Sequence, residues 1–304
     1  MKLKNTLALS LAAVMAAGLT ACGSSADTAS AAADSTAAES TEAAADTTAA
    51  PDGDGDPTTL TVAMECAYAP YNWTQNDDAN GAVEIRGSSD YAYGYDVMMA
   101  KKIGEALGQK VQIVKLDWDS LIPAVMSGDV DCVIAGQSIT AERAAQVDFS
   151  DPYYYASIVT LTKKDSAYAN AASVADLAGA TATSQLGTIW YDTCLPQIEG
   201  AQLMPASETA PAMVMAVTSG TVDYICTDMP TAMGACATYD NLVILDFSGS
   251  EDNFQVDAGE INIGISVVKG NTTLLDAMNA VLSGMTVEDM NQIMNEAIAV
   301  QPAI

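Results

Sequence analysis

From residue 58 onward the hydrophobic positions switch between two rhythms. Leu60 to Met64 is a short apolar run, the pattern of a buried strand, and Val111 to Leu116 is another. Between them Val97, Ala100, Ile103 and Leu107 recur at helical spacing, and Trp118, Leu121, Ile122 and Val125 do so after the second run. A second series follows: a strand around Thr181, a helix carrying Ala210, Met213, Val214 and Val217, and a strand from Val222 to Cys226. Strands alternating with helices of this length predict an α/β fold of mainly parallel sheets flanked by helices.

One segment recurs. Ser127-Gly128-Asp129-Val130-Asp131-Cys132-Val133-Ile134 is echoed by Ser219-Gly220-Thr221-Val222-Asp223-Tyr224-Ile225-Cys226. In each copy a helix ends at the glycine and a short buried strand follows. The echo predicts two similar lobes, each delivering a loop at the C-terminal end of a strand, where open α/β sheets bind their ligands. Those loops are Ala135-Gly136-Gln137-Ser138 and Thr227-Asp228. A cleft between the lobes would bring them together.

The first residues have the layout of an export signal. Lys2 and Lys4 precede an apolar run from Leu7 to Leu19, too short for a membrane span of about 20 residues. Leu19-Thr20-Ala21-Cys22-Gly23 resembles the bacterial lipobox, which implies a signal peptide over 1–21 and acylation of Cys22, for example by palmitate. Residues 23–57 hold only small and polar types with eight acids and no Lys or Arg, so 22–57 is expected to be a disordered acidic tether. Asp52-Gly53-Asp54-Gly55-Asp56 opens like a calcium loop, but Pro57 stands at the turn glycine and Ala63 at the closing Glu; no metal is expected.

Charge narrows the classes. Eleven Lys+Arg against 39 Asp+Glu leave a net charge of -28, which argues against nucleic acid and against docking on anionic lipid. The 304 residues include no histidine, the commonest general base and metal ligand. Without Cys22, five cysteines remain, an odd number that leaves at least one free thiol unless chains pair. Cys132 and Cys226 lie inside apolar strands and fit small core residues.

The chain has two arginines, Arg86 and Arg143. Arg143 follows Thr140, a plausible helix N-cap, so a guanidinium fork and a helix N-terminus offer themselves to a carboxylate. A surface pairing of Arg143 with Glu142 or Asp148 is the plainer alternative. Asp228 at a strand end suits an ammonium group, and it equally fits an N-cap before Met229-Pro230. An Arg on one lobe and an Asp on the other would clamp a zwitterion, the chemistry of free α-amino acid recognition.

Longer stretches carry a resemblance: Leu116-Asp117-Trp118-Asp119-Ser120-Leu121-Ile122-Pro123-Ala124, Ser138-Ile139-Thr140-Ala141-Glu142-Arg143, and Val147-Asp148-Phe149-Ser150-Asp151-Pro152-Tyr153-Tyr154. Gly94-Tyr95-Asp96-Val97 and Gly264 to Asn271 add to it. Over nearly all of residues 58–300 the chain resembles the extracellular solute-binding lipoproteins of polar amino acid ABC transporters, bacterial family 3. The resemblance implies a two-lobed periplasmic-binding-protein-like fold joined by two crossover strands. Lobe 1 would take 58–153 and 262–304 and lobe 2 would take 158–256, with hinges near 154–157 and 257–261. Arg143 would hold the ligand carboxylate with Ser138 and Thr188; Asp228 would hold the ammonium with the Gly136 carbonyl and the Ser138 hydroxyl. Glu65, Tyr68 and Trp118 fall where the family contacts the ligand side chain, and Ala135, Gln137 and Gln185 complete the site. Trp118 also lies in phase with a helix and fits the core; Glu65 also fits a cap or a solvated charge.

The implied function is to bind a free L-amino acid and deliver it to an ABC permease with its ATPase. No enzyme activity and no cofactor are expected. Glu65, Gln137 and Gln185 favour a polar or basic side chain, while Trp118, Trp190 and Tyr68 leave an aromatic one open. The protein is expected to be a monomer on the outer face of the bacterial cytoplasmic membrane, held only by its lipid anchor, or in the periplasm of a Gram-negative host. Two alternatives stay open: a cyclohexadienyl dehydratase-like lyase with Glu65 as general acid, and a ligand-sensing lipoprotein without transport. An insertion, Asn76 to Tyr93, is expected near the cleft mouth as a lid or a surface elaboration, and Thr286-Val287-Glu288-Asp289-Met290 should open a well-capped helix.

Overall fold

The computed structural model describes residues 57–303. The expected signal peptide (1–21), the acylated Cys22 and the acidic tether up to residue 56 lie outside the described residues.

Two five-stranded sheets organise the chain. The first runs, edge to edge, Lys110–Lys115, Thr59–Met64, Cys132–Val133, Ser266–Val267 and Asp148–Phe149. The second runs Gln202–Leu203, Thr181–Thr183, Tyr224–Asp228, Ile158–Lys163 and Leu242–Leu245. In both, the fourth strand is antiparallel to its two neighbours and the first three are parallel. The cause is the crossover. Tyr154–Tyr155 and Asn262–Ile263 pair antiparallel, and each feeds directly into the odd strand of the sheet it enters. A strand that begins at the crossover must run away from it, against strands that end there.

Helices Tyr95–Leu107, Leu121–Ser127, Ala210–Thr218, Met229–Thr238 and Thr272–Leu282 accompany these sheets. Val97, Ala100 and Ile103 are buried, as are Ala210, Met213, Val214 and Val217, so the apolar stripes face inward. The strand expected from Val222 forms two residues later. The C-terminal helix Val287–Val300 opens on a capping box of Thr286 and Asp289, the T-x-x-D arrangement that satisfies both N-terminal donors.

The repeated segment is a structural repeat. Asp131 Oδ2 accepts from the Thr61 backbone N (2.7 Å) and hydroxyl (2.5 Å), while its own N–H donates to Thr61 Oγ1 (3.0 Å). Asp223 repeats the clamp on Thr181 at 2.8, 2.7 and 3.0 Å. Each clamp ties the second strand of a sheet to the third, at the start of the strand whose far end carries the expected site loop.

The insertion adds Val83–Glu84 and Tyr91–Tyr93 to an antiparallel sheet with Ala67–Tyr68 and Asn72–Gln75. Ile85 bridges to Ile113 and Arg86 N–H donates to the Ile113 carbonyl (2.8 Å), so its hairpin covers the free edge of Lys110–Lys115. Covering an edge strand removes a template for pairing with other chains.

Tyrosine supplies most of the aromatic core: twelve Tyr against three Phe. Tyr68 stacks on Tyr71 (4.8 Å), Tyr95 on Tyr153 (5.7 Å), and Tyr71 meets Tyr95 edge-on (6.2 Å). Their buried hydroxyls need partners, and three of them find these among backbone and carboxylate oxygens around the cleft.

Candidate functional site

The site assembles where strands of the two sheets end toward each other. Asp228 closes the strand Tyr224–Asp228 and caps the next helix, its Oδ1 accepting from Thr231 N (2.8 Å). Its Oδ2 accepts the Tyr68 hydroxyl (2.7 Å), from a residue 160 positions away on the other lobe. The capping role and the cleft position thus coexist, one on each oxygen. Burial pushes the Asp228 carboxyl above its ordinary value, opposed by the Thr231 N–H and the Tyr68 hydroxyl.

Arg143 sits on a one-turn helix, Ala141–Ala144, with Thr140 capping it through Arg143 N (3.2 Å). So short a helix has almost no dipole, and its first N–H, from Ala141, already donates to Glu260 Oε1 (3.0 Å). The expected anion site at this N-terminus is therefore filled by the protein's own carboxylate. The guanidinium is what remains for a ligand. It donates from Nη1 to the Ser138 carbonyl (2.9 Å) and from Nη2 across the cleft to the Gly187 carbonyl (2.9 Å). It lies 5.4 Å over the Trp118 ring, a cation–π contact. Loss of water on the cleft side lowers its pKa to about 10. Asp148 pairs with Lys269 (3.6 Å), so it is not the partner of Arg143.

Glu65 directly follows the strand Thr59–Met64 and is buried, 4 % exposed. Gln185 Nε2 from the second lobe is 3.4 Å from its Oε2. Burial raises this carboxyl to about 7 against the Gln185 bond. Thr188 bonds back to the Gln185 carbonyl (2.7 Å), holding the loop that carries Gly187. Buried Gln137 Oε1 and Gln185 Oε1 have no hydrogen-bond partner among the described residues.

Ala135, Gly136, Gln137 and Ser138 are all buried in the loop after Cys132–Val133. Gly136 has φ +64, and a Cβ there would stand 2.6 Å from Tyr68 Cε1. Only glycine lets the backbone approach that ring. Trp118 starts a 3-10 turn and is half-buried, packing against the core while it also lines the cleft. A cavity of about 500 Å³ runs between Trp118, Gln137 and Arg143 on one side and Gly187, Thr188 and Ile189 on the other. Its rim carries Asp119, Glu142, Asp192 and Glu260.

Of the eleven expected ligand residues, Trp118, Gln137, Arg143 and Thr188 line this cavity, Tyr68 meets Asp228 and Glu65 meets Gln185 outside its lining, and Ala135, Gly136 and Ser138 share the loop of Gln137. Two neighbours were not singled out. Tyr71 stacks beneath Tyr68, and the Tyr-x-x-Tyr spacing after the first strand was the available signal. Glu260, in the crossover region, had none, because only the fold brings it to Ala141. Among the described residues no group of His, Cys, Asp or Glu is disposed to hold a metal, and the five cysteines from Cys66 to Cys236 are free thiols. No described helix is long and apolar enough to cross a membrane.

Residues 60–298 match the family model of bacterial extracellular solute-binding proteins, family 3. The arginine-binding extracellular protein ArtP of Bacillus subtilis (strain 168) is 32 % identical over 62 % of this chain; the match spans 58 % of that relative, less than two thirds of its length. A substrate binding protein of an amino acid ABC transporter is 27 % identical with a TM-score of 0.62, covering 78 % of this chain and 98 % of the other. An ancestral arginine-binding protein, solved with arginine, is 30 % identical with a TM-score of 0.61, covering 79 % and 97 %.

Proposed function

The chain belongs to the bacterial extracellular solute-binding proteins of family 3, and from that premise we propose that it binds a free L-amino acid between its lobes and hands it to an ABC permease. The observation that carries this is a guanidinium and a buried carboxylate at one cleft, Arg143 reaching across it to the Gly187 carbonyl and Asp228 accepting across it from Tyr68. Arg143 would take the ligand carboxylate through its two-pronged fork, and Asp228 the ammonium. Ser138, Thr188 and the Gly136 carbonyl would complete the two ends.

A basic side chain fits best. Glu65 lies buried at the end of the first strand, and four carboxylates rim the cavity. A cationic ligand would draw Glu65 into its charged form and offset its desolvation. The arginine named for two of the similar proteins supports the same class. The mechanism is hinge closure: each lobe holds one end of the ligand, water leaves, and the loaded form becomes the population that the permease recognises. No reaction is involved. The lobe boundaries would be those of the two sheets, with 154–157 and 257–261 as hinges. We further propose that acylated Cys22 anchors the protein as a monomer at the outer face of the membrane.

A thermal-shift screen against the twenty amino acids tests the reading. Stabilisation by arginine or lysine at ligand concentrations well above Kd is expected, by mass action. No response to any amino acid, after unfolding and refolding to strip bound cargo, would overturn it. Mass spectrometry of the membrane fraction tests the anchor: a diacylglyceryl N-terminal Cys22 is expected, and an unmodified Cys22 rejects it.

A further inference from the structure

Two backbone N–H groups beside the cleft belong to residues with positive φ: Cys66 (+53) next to Glu65, and Gly136 (+64) in the Ala135–Ser138 loop. For Cys66 this conformation is strained, since a Cβ disfavours it. Both groups are tied to the same buried carboxylate. Cys66 N–H donates to Asn72 Oδ1 (2.7 Å), and Asn72 Nδ2 donates to Asp96 Oδ2 (2.7 Å). From the other side, Gly136 N–H donates to the Tyr153 hydroxyl (2.8 Å), which donates to Asp96 Oδ1 (2.7 Å). Asn72, Asp96 and Tyr153 are fully buried, and Tyr153 immediately precedes the crossover strand Tyr154–Tyr155.

The polarity of this relay is dictated from its ends. Each end is a backbone donor, so each intermediate group must accept outward and donate inward. The centre then has to accept twice and donate to neither side, which an ionised carboxylate does and a neutral amide does not. Burial raises Asp96 to about 7, and the Tyr153 and Asn72 bonds oppose that rise.

We propose that Asp96 is a positioning residue for ligand binding: it fixes the Glu65–Cys66 turn and the Ala135–Ser138 loop in one register and fastens both to the crossover. It touches no ligand itself. The proposal rests on the function argued above, since those two segments carry the side-chain and ammonium contacts.

The relay makes an unusual rescue available. Asp96→Asn puts an amide donor against the Asn72 donor. Adding Asn72→Asp restores all four bonds with only the central one reversed: Cys66 N–H to the carboxylate at 72, the amide at 96 to that carboxylate, Tyr153 to the amide oxygen at 96, Gly136 to Tyr153. Binding of L-arginine by calorimetry and the Gly136 amide proton by NMR are the two readouts. D96N should weaken arginine at least tenfold and shift the Gly136 amide; N72D/D96N should recover affinity to within threefold. Y153F, which removes only the bridging hydroxyl, should also shift the amide and weaken binding, and it serves if D96N does not fold. Wild-type affinity in D96N or in Y153F, or a folded double variant no better than D96N, would overturn the proposal. If the wild-type protein binds no amino acid, the function is what fails. The amide readout then decides the relay alone: an unmoved Gly136 resonance in Y153F rejects it.

Discussion

Tyr68 and Asp228 come from opposite lobes, yet the tyrosine hydroxyl donates to the aspartate at 2.7 Å inside the cleft. The bond occupies one carboxylate oxygen while the other caps the helix Met229–Thr238. The structural duty of Asp228 and its proposed ligand duty are therefore separable by substitution. Asp228→Asn keeps a capping oxygen but loses the charge that an ammonium needs. It should lower arginine affinity at least 100-fold with the melting temperature nearly unchanged. Asp228→Ala loses the cap as well, adding a cost of about 1 kcal/mol, or roughly 2–4 °C. Calorimetry alongside thermal unfolding distinguishes them; equal affinity in D228N and wild type would remove the ammonium role.

Arg143 reaches both lobes through the Ser138 and Gly187 carbonyls. A lysine keeps the charge but not the planar fork, so Arg143→Lys should lose roughly 30-fold in affinity and Arg143→Ala all measurable binding, at about 1.5–3 kcal/mol per charge-assisted bond. Titration calorimetry with L-arginine is the check. An R143K variant that binds like the wild type would show that charge alone suffices.

Glu65 sets a pH dependence with a definite sign. Its carboxyl rises from 4.5 to about 7 on folding, so between those pH values the folded state binds more protons than the unfolded. This contribution to stability is fully present below 4.5 and is lost as pH rises through 7, on the order of 3 kcal/mol. Ligand-free Glu65→Gln should therefore gain on the wild type as pH rises from 4.5 to 7. Affinity for arginine runs the other way, rising with pH through 7 in the wild type and less steeply in E65Q, which keeps the raised carboxyls of Asp96 and Asp228. Parallel wild-type and E65Q unfolding curves across that range would contradict the burial of this charge.

Gly136→Ala places a Cβ 2.6 Å from Tyr68 Cε1 at a φ that only glycine adopts freely. The Tyr68 ring must move, and its bond to Asp228 goes with it. At least a tenfold loss of arginine affinity is expected, with destabilisation of about 1–3 kcal/mol. A crystal structure of G136A with Tyr68 unmoved would sink this prediction.

The twin clamps predict unequal costs. Asp131→Ala leaves fully buried Thr61 N–H without its partner and should cost about 2–4 kcal/mol. Asp223→Ala exposes the same donor on half-buried Thr181 and should cost about 1–2 kcal/mol. Neither clamp reaches the cleft, so affinity measured well below the melting temperature should stay within threefold. Chemical denaturation of both variants gives the comparison.

The elements that sequence read well are those whose signal is local. Val97, Ala100 and Ile103 mark a helix face because burial repeats at 3.6 residues, and the T-x-x-D of Thr286 and Asp289 is a capping box within one turn. The echo around Asp131 and Asp223 was visible as spelling, but its meaning, a bond to a threonine 70 or 42 positions earlier, was not. The insertion shows the limit: composition near Asn76 to Tyr93 gave no sign of which edge it would cover, since the Ile85–Ile113 bridge depends on where Lys110–Lys115 ends the sheet.

By itself, the sequence determined the alternation of strand and helix, the duplication of a lobe, and the charged types available for a zwitterion, because periodicity, repetition and composition survive without coordinates. Only the tertiary structure decided which oxygen of Asp228 caps and which faces Tyr68, that Glu260 fills the helix end beside Arg143, and that Asp96 is linked to both the Glu65–Cys66 turn and the Ala135–Ser138 loop. These relations span up to 160 residues, and hydrogen-bond geometry at 2.7 Å is set by how two sheets meet, not by what lies next along the chain.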